Sequence, residues 1–226
     1  KNPVVVFPDA DLEKAIPGAA RACFFLQGQN CMAGTRLFVH KDIYQPVING
    51  VKAMAEAFTI GHGLIPTNDF GPLISEIQRE RVMSYIQLGQ DEGAELLTGG
   101  ESIGDKGFFV KPTIFSNVRG DMRIAKEEIF GPVLCAQSFE NEDLETIAHQ
   151  ANDTSYGLSG SVWTQDISVA HKMAMLIDAG QVSINCHAAV DPAIPFGGNK
   201  QSGWGREFGK EGLEPYLKTK ATSVIF

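Results

Sequence analysis

TRLFVHKDIYQPVINGVKAMAEAF, residues 35–58, changes its periodicity within a few residues. TRLFVH, 35–40, is a short run rich in apolar side chains and reads as a strand. Asp42 can then cap a helix, and Ile43, Val47, Ile48, Val51, Met54, Ala55 and Phe58 fall on one face of it. A buried strand feeding an amphipathic helix is the repeating unit of an α/β sheet.

The alternation continues in both directions. VVVF at 4–7 predicts a strand and residues 11–25 a helix, kinked or truly started at Pro17-Gly18. Residues 59–74 read as a long Gly- and Pro-containing loop, and Ser75 with Gln78 as a capping box for a helix reaching toward Gln90. FFVKPTIF at 108–115 and VLCAQSF at 133–139 are strand candidates. A helix at 142–151, a strand at 160–164, a helix at 166–178 and a strand at 181–187 follow. The expected fold is α/β, a largely parallel open sheet flanked by helices. From Pro195 the texture changes: PFGGNKQSGWGREFGKEG holds six glycines in 18 residues. KTKATSVIF, 218–226, has strand character with no helix after it, as expected of a strand that pairs with a sheet outside its own domain.

Across 226 residues, 19 basic and 27 acidic side chains leave a net charge of −8. That balance excludes nucleic acid and anionic membrane as expected partners, because both require a positive surface. Four cysteines, without a CxxC pair, point to a reducing compartment, expected to be cytoplasmic. The chain opens on Lys1, as the second part of something longer would. The histidines at 40, 62, 149, 171 and 187 have no metal-site spacing, so no metal is expected. Gly203, Gly205 and Gly209 are spaced GxGxxxG with no strand before them, which rejects a dinucleotide fingerprint.

GQNCMAG, 28–34, sets Cys31 among small and polar neighbours at the lip of a strand. A structural cysteine prefers apolar surroundings, as Cys23, Cys135 and Cys186 are expected to have; Cys31, read from its residues alone, is either the candidate nucleophile or one more structural thiol. Read from its residues alone, KEEIFGP at 126–132 offers carboxylates either to sugar hydroxyls or simply to solvent. PFGG at 195–198 is either a close approach to a ligand or a tight turn.

Taken together, GQNCMAGTRLFV, KEEIFGPV, NDTSYGLSGSVWT and PFGGNKQSGWGREFGKEGL resemble, in order and distance, the second half of an aldehyde dehydrogenase. The resemblance implies that residues 1–201 form the catalytic domain and 202–226 a bridging and oligomerisation segment, with KTKATSVIF as the oligomerisation strand. The NAD-binding domain, a general-base glutamate and an oxyanion asparagine would lie outside the chain. It implies Cys31 as nucleophile and Glu207 as a buried carboxylate supporting the site. NAD, or NADP, would be held by Glu128 on the nicotinamide ribose, with Phe130 beside it. Gln78 and Arg81 would touch the adenosine-side ribose, and Leu158 would lie near the nicotinamide. Phe25, Asn30, Met32, Val190 and Phe196 would line the aldehyde tunnel. The stretch from Asn185 to Gly209 looks most like phenylacetaldehyde dehydrogenases, with Val190 where many relatives carry a large aromatic. A homodimer or homotetramer is implied. Two rivals remain: a cofactor-independent thiol hydrolase pairing Cys31 with a histidine, and a non-catalytic assembly fragment.

Overall fold

A computed structural model describes residues 1–140 and 143–226. The first strand, β1 (Pro3–Val6), carries three valines with no exposed surface, a burial that stabilises by about 1.5–3 kcal/mol per side chain. Helix α1 (Leu12–Phe24) starts at Asp11, whose carboxylate accepts from the Glu13 amide, and runs through Pro17 without a break. Pro17 lies in the early part of the helix, and Gly18 beside it leaves room for the Trp163 ring. Strand β2 (Arg36–His40) leads directly into α2 (Lys41–Ala57). The cap of α2 is His40 rather than Asp42: the His40 ring nitrogen accepts from the Asp42 amide.

Helix α3 (Glu76–Asp91) begins at Ser75 as expected. Strand β3 (Glu95–Thr98) and the short hairpin β4 (Ser102–Ile103) and β5 (Phe109–Val110) follow. FFVKPTIF is therefore two elements, with Lys111-Pro112 separating β5 from β6 (Thr113–Ser116). After the single-turn α4 (Arg123–Lys126) come β7 (Val133–Phe139) and α5 (Leu144–Asn152), capped by Asp143. The start expected at residue 142 lies outside the described residues. Strands β8 (Tyr156–Gly157) and β9 (Ser159–Trp163), helix α6 (Ile167–Leu176), strand β10 (Gln181–Ile184) and the two-residue β11 (Asn199–Lys200) complete the order.

Seven strands form one sheet in the order β10-β9-β1-β2-β7-β6-β3, parallel except where β3 runs against β6. Helices cover both faces, α1 and α2 packing on one side and α5 and α6 on the other. Arg36 ties the middle of this frame together. Its buried guanidinium donates to the Ala151 carbonyl at the end of α5 (2.5 Å) and to the Lys1 carbonyl before β1 (2.9 Å). The tail from 218 on is exposed and forms no strand within this chain. No helix among the described residues is long and apolar enough to cross a membrane.

Candidate active site

Cys31 is exposed at the amino-terminal end of β2, whereas Cys23 and Cys135 are buried. Open α/β sheets usually carry ligands at the carboxyl ends of their strands. Here the candidate residues gather at the other edge: Asn2 precedes β1, Cys31 precedes β2, Glu128 precedes β7 and Leu158 precedes β9.

The loop around Cys31 is held by donors from several elements. Buried Asn2 donates to the carbonyls of Cys31 (3.0 Å) and Ala33 (2.8 Å), while its own oxygen accepts from the Ser159 amide (2.9 Å). The Met32 carbonyl is 2.7 Å from His187 Nε2. Asn30 accepts from the Met32 amide through its side chain (3.0 Å) and from the Ala33 amide through its carbonyl (2.9 Å). The Cys31 amide, by contrast, has no acceptor among the described residues, which leaves it available to a developing oxyanion.

Glu128 and Phe130 stand on a second loop. Its three successive carbonyls each receive a side-chain donor from α3: Arg81 donates to Glu128 (2.6 Å), and Gln78 to Ile129 (3.1 Å) and Phe130 (2.7 Å). Gln78 therefore does not close the expected capping box, in which its side chain would return to Ser75. Its amide and the Arg81 guanidinium instead fix this loop, a role that sequence reading missed. The grip matters because Phe130 sits at φ 60, a left-handed conformation that costs a non-glycine residue about 1–2 kcal/mol. A Glu128 carboxylate oxygen lies 3.2 Å from the Lys1 backbone nitrogen, so it reaches the same strand edge as Asn2. Leu158 borders Lys1 and Asn2 as well. A partly open, acceptor-only carboxylate beside an exposed aromatic ring suits the vicinal hydroxyls and flat ring of a nucleoside, so these residues fit the expected nucleotide.

A cleft of about 590 Å³ opens beside the Cys31 loop and is lined by Phe25, Asn30, Met32, Trp163, Cys186 and His187, with Arg21 and Lys14 at its side. Phe25, Asn30 and Met32 were expected there; Trp163, Cys186 and His187 were not. Cys186 is exposed in a turn after β10, which ends at Ile184, and so is not the strand-borne structural cysteine anticipated. Phe196 and Val190 lie outside this cleft; Phe196 packs near Phe208, with ring centroids 6.3 Å apart. Glu207 pairs its backbone with Phe196 in both directions (2.7 Å each), but its side chain is exposed, because within this chain nothing folds over the loop that carries it. Arg206 donates to the Gly198 carbonyl and the Asn199 side chain, so hydrogen bonds span the position between residues 201 and 202.

The hydrolase reading needs a histidine at the Cys31 sulfur. His187, in the same cleft, spends Nε2 on the Met32 carbonyl and Nδ1 on Ser161, and the sulfur's own hydrogen-bond partner is Asn30. Burial keeps the His187 pKa below its ordinary value, opposed in part by the Met32 carbonyl.

Comparison with known proteins identifies the family and the fold. The sequence profile of the aldehyde dehydrogenase family matches residues 1–222. The chain is 48% identical over 224 residues to DhaS of Bacillus subtilis, covering 99% of this chain and 45% of that protein. It is 42% identical over 228 residues to a phenylacetaldehyde dehydrogenase of Pseudomonas fluorescens, covering all of this chain and 45% of the relative. A Bacillus cereus aldehyde dehydrogenase solved in complex with NAD+ superposes with a TM-score of 0.93 at 45% identity, over 96% of this chain and 44% of that structure. The chain thus spans somewhat less than half the length of the relatives it matches.

Proposed function

The chain belongs to the aldehyde dehydrogenase family, and on that premise we propose that it is the catalytic half of an NAD(P)-dependent enzyme oxidising an aldehyde to its acid through Cys31. The observation that carries this reading is the Cys31 loop itself: an exposed thiol, carbonyls of residues 31–33 tied down by Asn2 and His187, and a Cys31 amide with no acceptor among the described residues. Cys31, its proton already lost to solvent so that Sγ is a thiolate, attacks the aldehyde carbon, and the carbonyl π pair moves onto oxygen, where the Cys31 amide donates to it. Bound nicotinamide supplies the acceptor for the hydride equivalent that the aldehyde carbon must lose. Cys31 then carries a thioester, which water hydrolyses to the acid; the base that activates this water is assigned to a glutamate outside this chain. Glu128 and Phe130 hold the nucleoside end of the cofactor, and Leu158 packs nearby. Glu207 supports the site once the rest of the protein covers it.

The substrate we assign is an arylacetaldehyde such as phenylacetaldehyde. Phe25 and Trp163 give the cleft two aromatic walls, and the relative from Pseudomonas fluorescens bears that activity in its name. Val190 and Phe196 belong to the outer tunnel. The tail, with Val224, Ile225 and Phe226 exposed, adds to the sheet of a second copy, giving a homodimer or homotetramer. Free cysteines, two of them exposed, suit a reducing compartment, which we take to be the cytoplasm.

The test is NADH formation by the full-length enzyme on phenylacetaldehyde and on a short aliphatic aldehyde, with Cys31→Ala alongside. Turnover surviving Cys31→Ala overturns the mechanism. A preference for the aliphatic aldehyde overturns only the substrate.

A further inference from the structure

Three peptide planes follow Cys31, and each is held at both ends. The plane after Cys31 is fixed by Asn2 at its carbonyl and Asn30 at its amide. The plane after Ala33 is fixed by Asn2 at its carbonyl and the Ala22 carbonyl at its amide. Between them, the Met32 carbonyl is held by His187, 155 residues away in sequence. That donor is the one furthest from Cys31 along the chain, and it is one of the five histidines in which the sequence showed no metal-site spacing.

The direction of this bond is determined by the chemistry around it. A carbonyl oxygen only accepts, so His187 Nε2 carries the hydrogen and Nδ1 is left as an acceptor. Ser161 Oγ, 2.9 Å from Nδ1, must then donate to it. The indole Nε1 of Trp163, which only donates, supplies Ser161 Oγ from 3.3 Å. A one-way relay runs from Trp163 through Ser161 and His187 to the Met32 carbonyl. Its origin is the strand β9 in the sheet interior, so the loop is referenced to the frame rather than to solvent. Gly34 is shaped for the same contact: a Cβ there would lie 3.0 Å from His187 Cε1 and 2.5 Å from Val4 Cγ2.

We propose that His187 is a positioning residue for Cys31, using the Ser161-fixed tautomer to lock the Met32 peptide and so the attack direction of the thiolate. The inference rests on the assignment of Cys31 as nucleophile. It adds that the histidine donates a hydrogen bond to backbone and takes no proton from the thiol.

The experiment compares His187→Phe, His187→Gln and Ser161→Ala in the full-length enzyme, with Cys31→Ala as control. Readouts are kcat and KM for aldehyde and NAD, and the rate of Cys31 alkylation by iodoacetamide. Phe keeps the ring volume without a donor; Gln restores a donor near the Nε2 position. His187→Phe is expected to lower kcat roughly 10- to 100-fold, the scale set by misorienting a reacting group, with KM for NAD changed less than about two-fold. His187→Gln should recover most of that loss, and Ser161→Ala should lie between. Equal losses in Phe and Gln would reduce His187 to a space filler, and an unchanged kcat in Phe would remove its role; either overturns the proposal. If His187→Phe does not fold, Ser161→Ala decides, since unchanged turnover there contradicts the relay. Turnover by Cys31→Ala would instead overturn the underlying assignment, and is read separately.

Discussion

Gly28 and Gly131 meet backbone to backbone: a Cβ built on Gly28 would lie 2.2 Å from the Gly131 carbonyl oxygen. The loop that carries the nucleophile and the loop that carries Glu128 are thus in direct contact, with no side chain between them. Gly28 is also at φ +67, which an L residue adopts only with strain. Gly28→Ala should lower unfolding free energy by about 1–3 kcal/mol, measured as a drop in urea midpoint. A midpoint equal to wild type would mean the two loops part without cost.

Removing the Glu128 charge should affect the cofactor and leave the thiol untouched. A hydrogen bond to a charged group is worth about 1.5–3 kcal/mol, so Glu128→Gln is expected to weaken NAD binding roughly ten- to a hundredfold. Iodoacetamide should still alkylate Cys31 at the wild-type rate. Unaltered NAD affinity by calorimetry would detach Glu128 from the nucleotide.

The four thiols should fall into two classes. Cys31 and Cys186 are exposed, whereas Cys23 and Cys135 are fully buried and burial pushes both thiols up in pKa. A disulfide reagent added to native protein should titrate two thiols promptly and the other two only after unfolding. Cys31→Ala should leave one fast thiol. Four fast thiols in the native state would contradict the core described above.

His187 gives stability a pH dependence of definite sign. Burial lowers its pKa in the folded protein from the ordinary value of 6.5, so below that value the unfolded chain binds the extra proton first. Stability should therefore fall as pH drops through 6.5, and the group should contribute no slope well above it. His187→Gln should flatten this part of the profile, checked by urea midpoints at about pH 7.5 and about pH 5.5. Parallel profiles for the two proteins would show that another group is responsible.

The central strands were legible because they are buried on both faces and appear as continuous apolar runs: Pro3–Val6, Arg36–His40 and Val133–Phe139 all lie close to their expected bounds. Strand β3 was missed because Glu95–Thr98 lies at the sheet edge, only partly buried, and lacks that pattern. Pro112 concealed the break in FFVKPTIF, where one apolar run serves two sheets. At the site, the small and polar residues around Cys31 were informative because such neighbours leave a side chain uncovered, and the thiol is exposed. What Gln78, Arg81 and His187 do was not readable, because each hydrogen-bonds to the backbone of a distant segment. Cys186 was misplaced by extending β10 beyond Ile184, into turn residues that continue its apolar and polar texture.

The sheet order sets β1 and β2 side by side near the middle, and the Cys31 loop hangs from the amino ends of both. Shifting the reacting sulfur by even a fraction of an ångström would therefore pull on the best-packed part of the molecule. The stretch from Ala189 to Ile194, beyond His187, carries no such burden, being exposed along its length. Substitutions can accumulate along that rim, residue by residue, while the hydrogen bonds that hold the Cys31 loop are inherited unchanged.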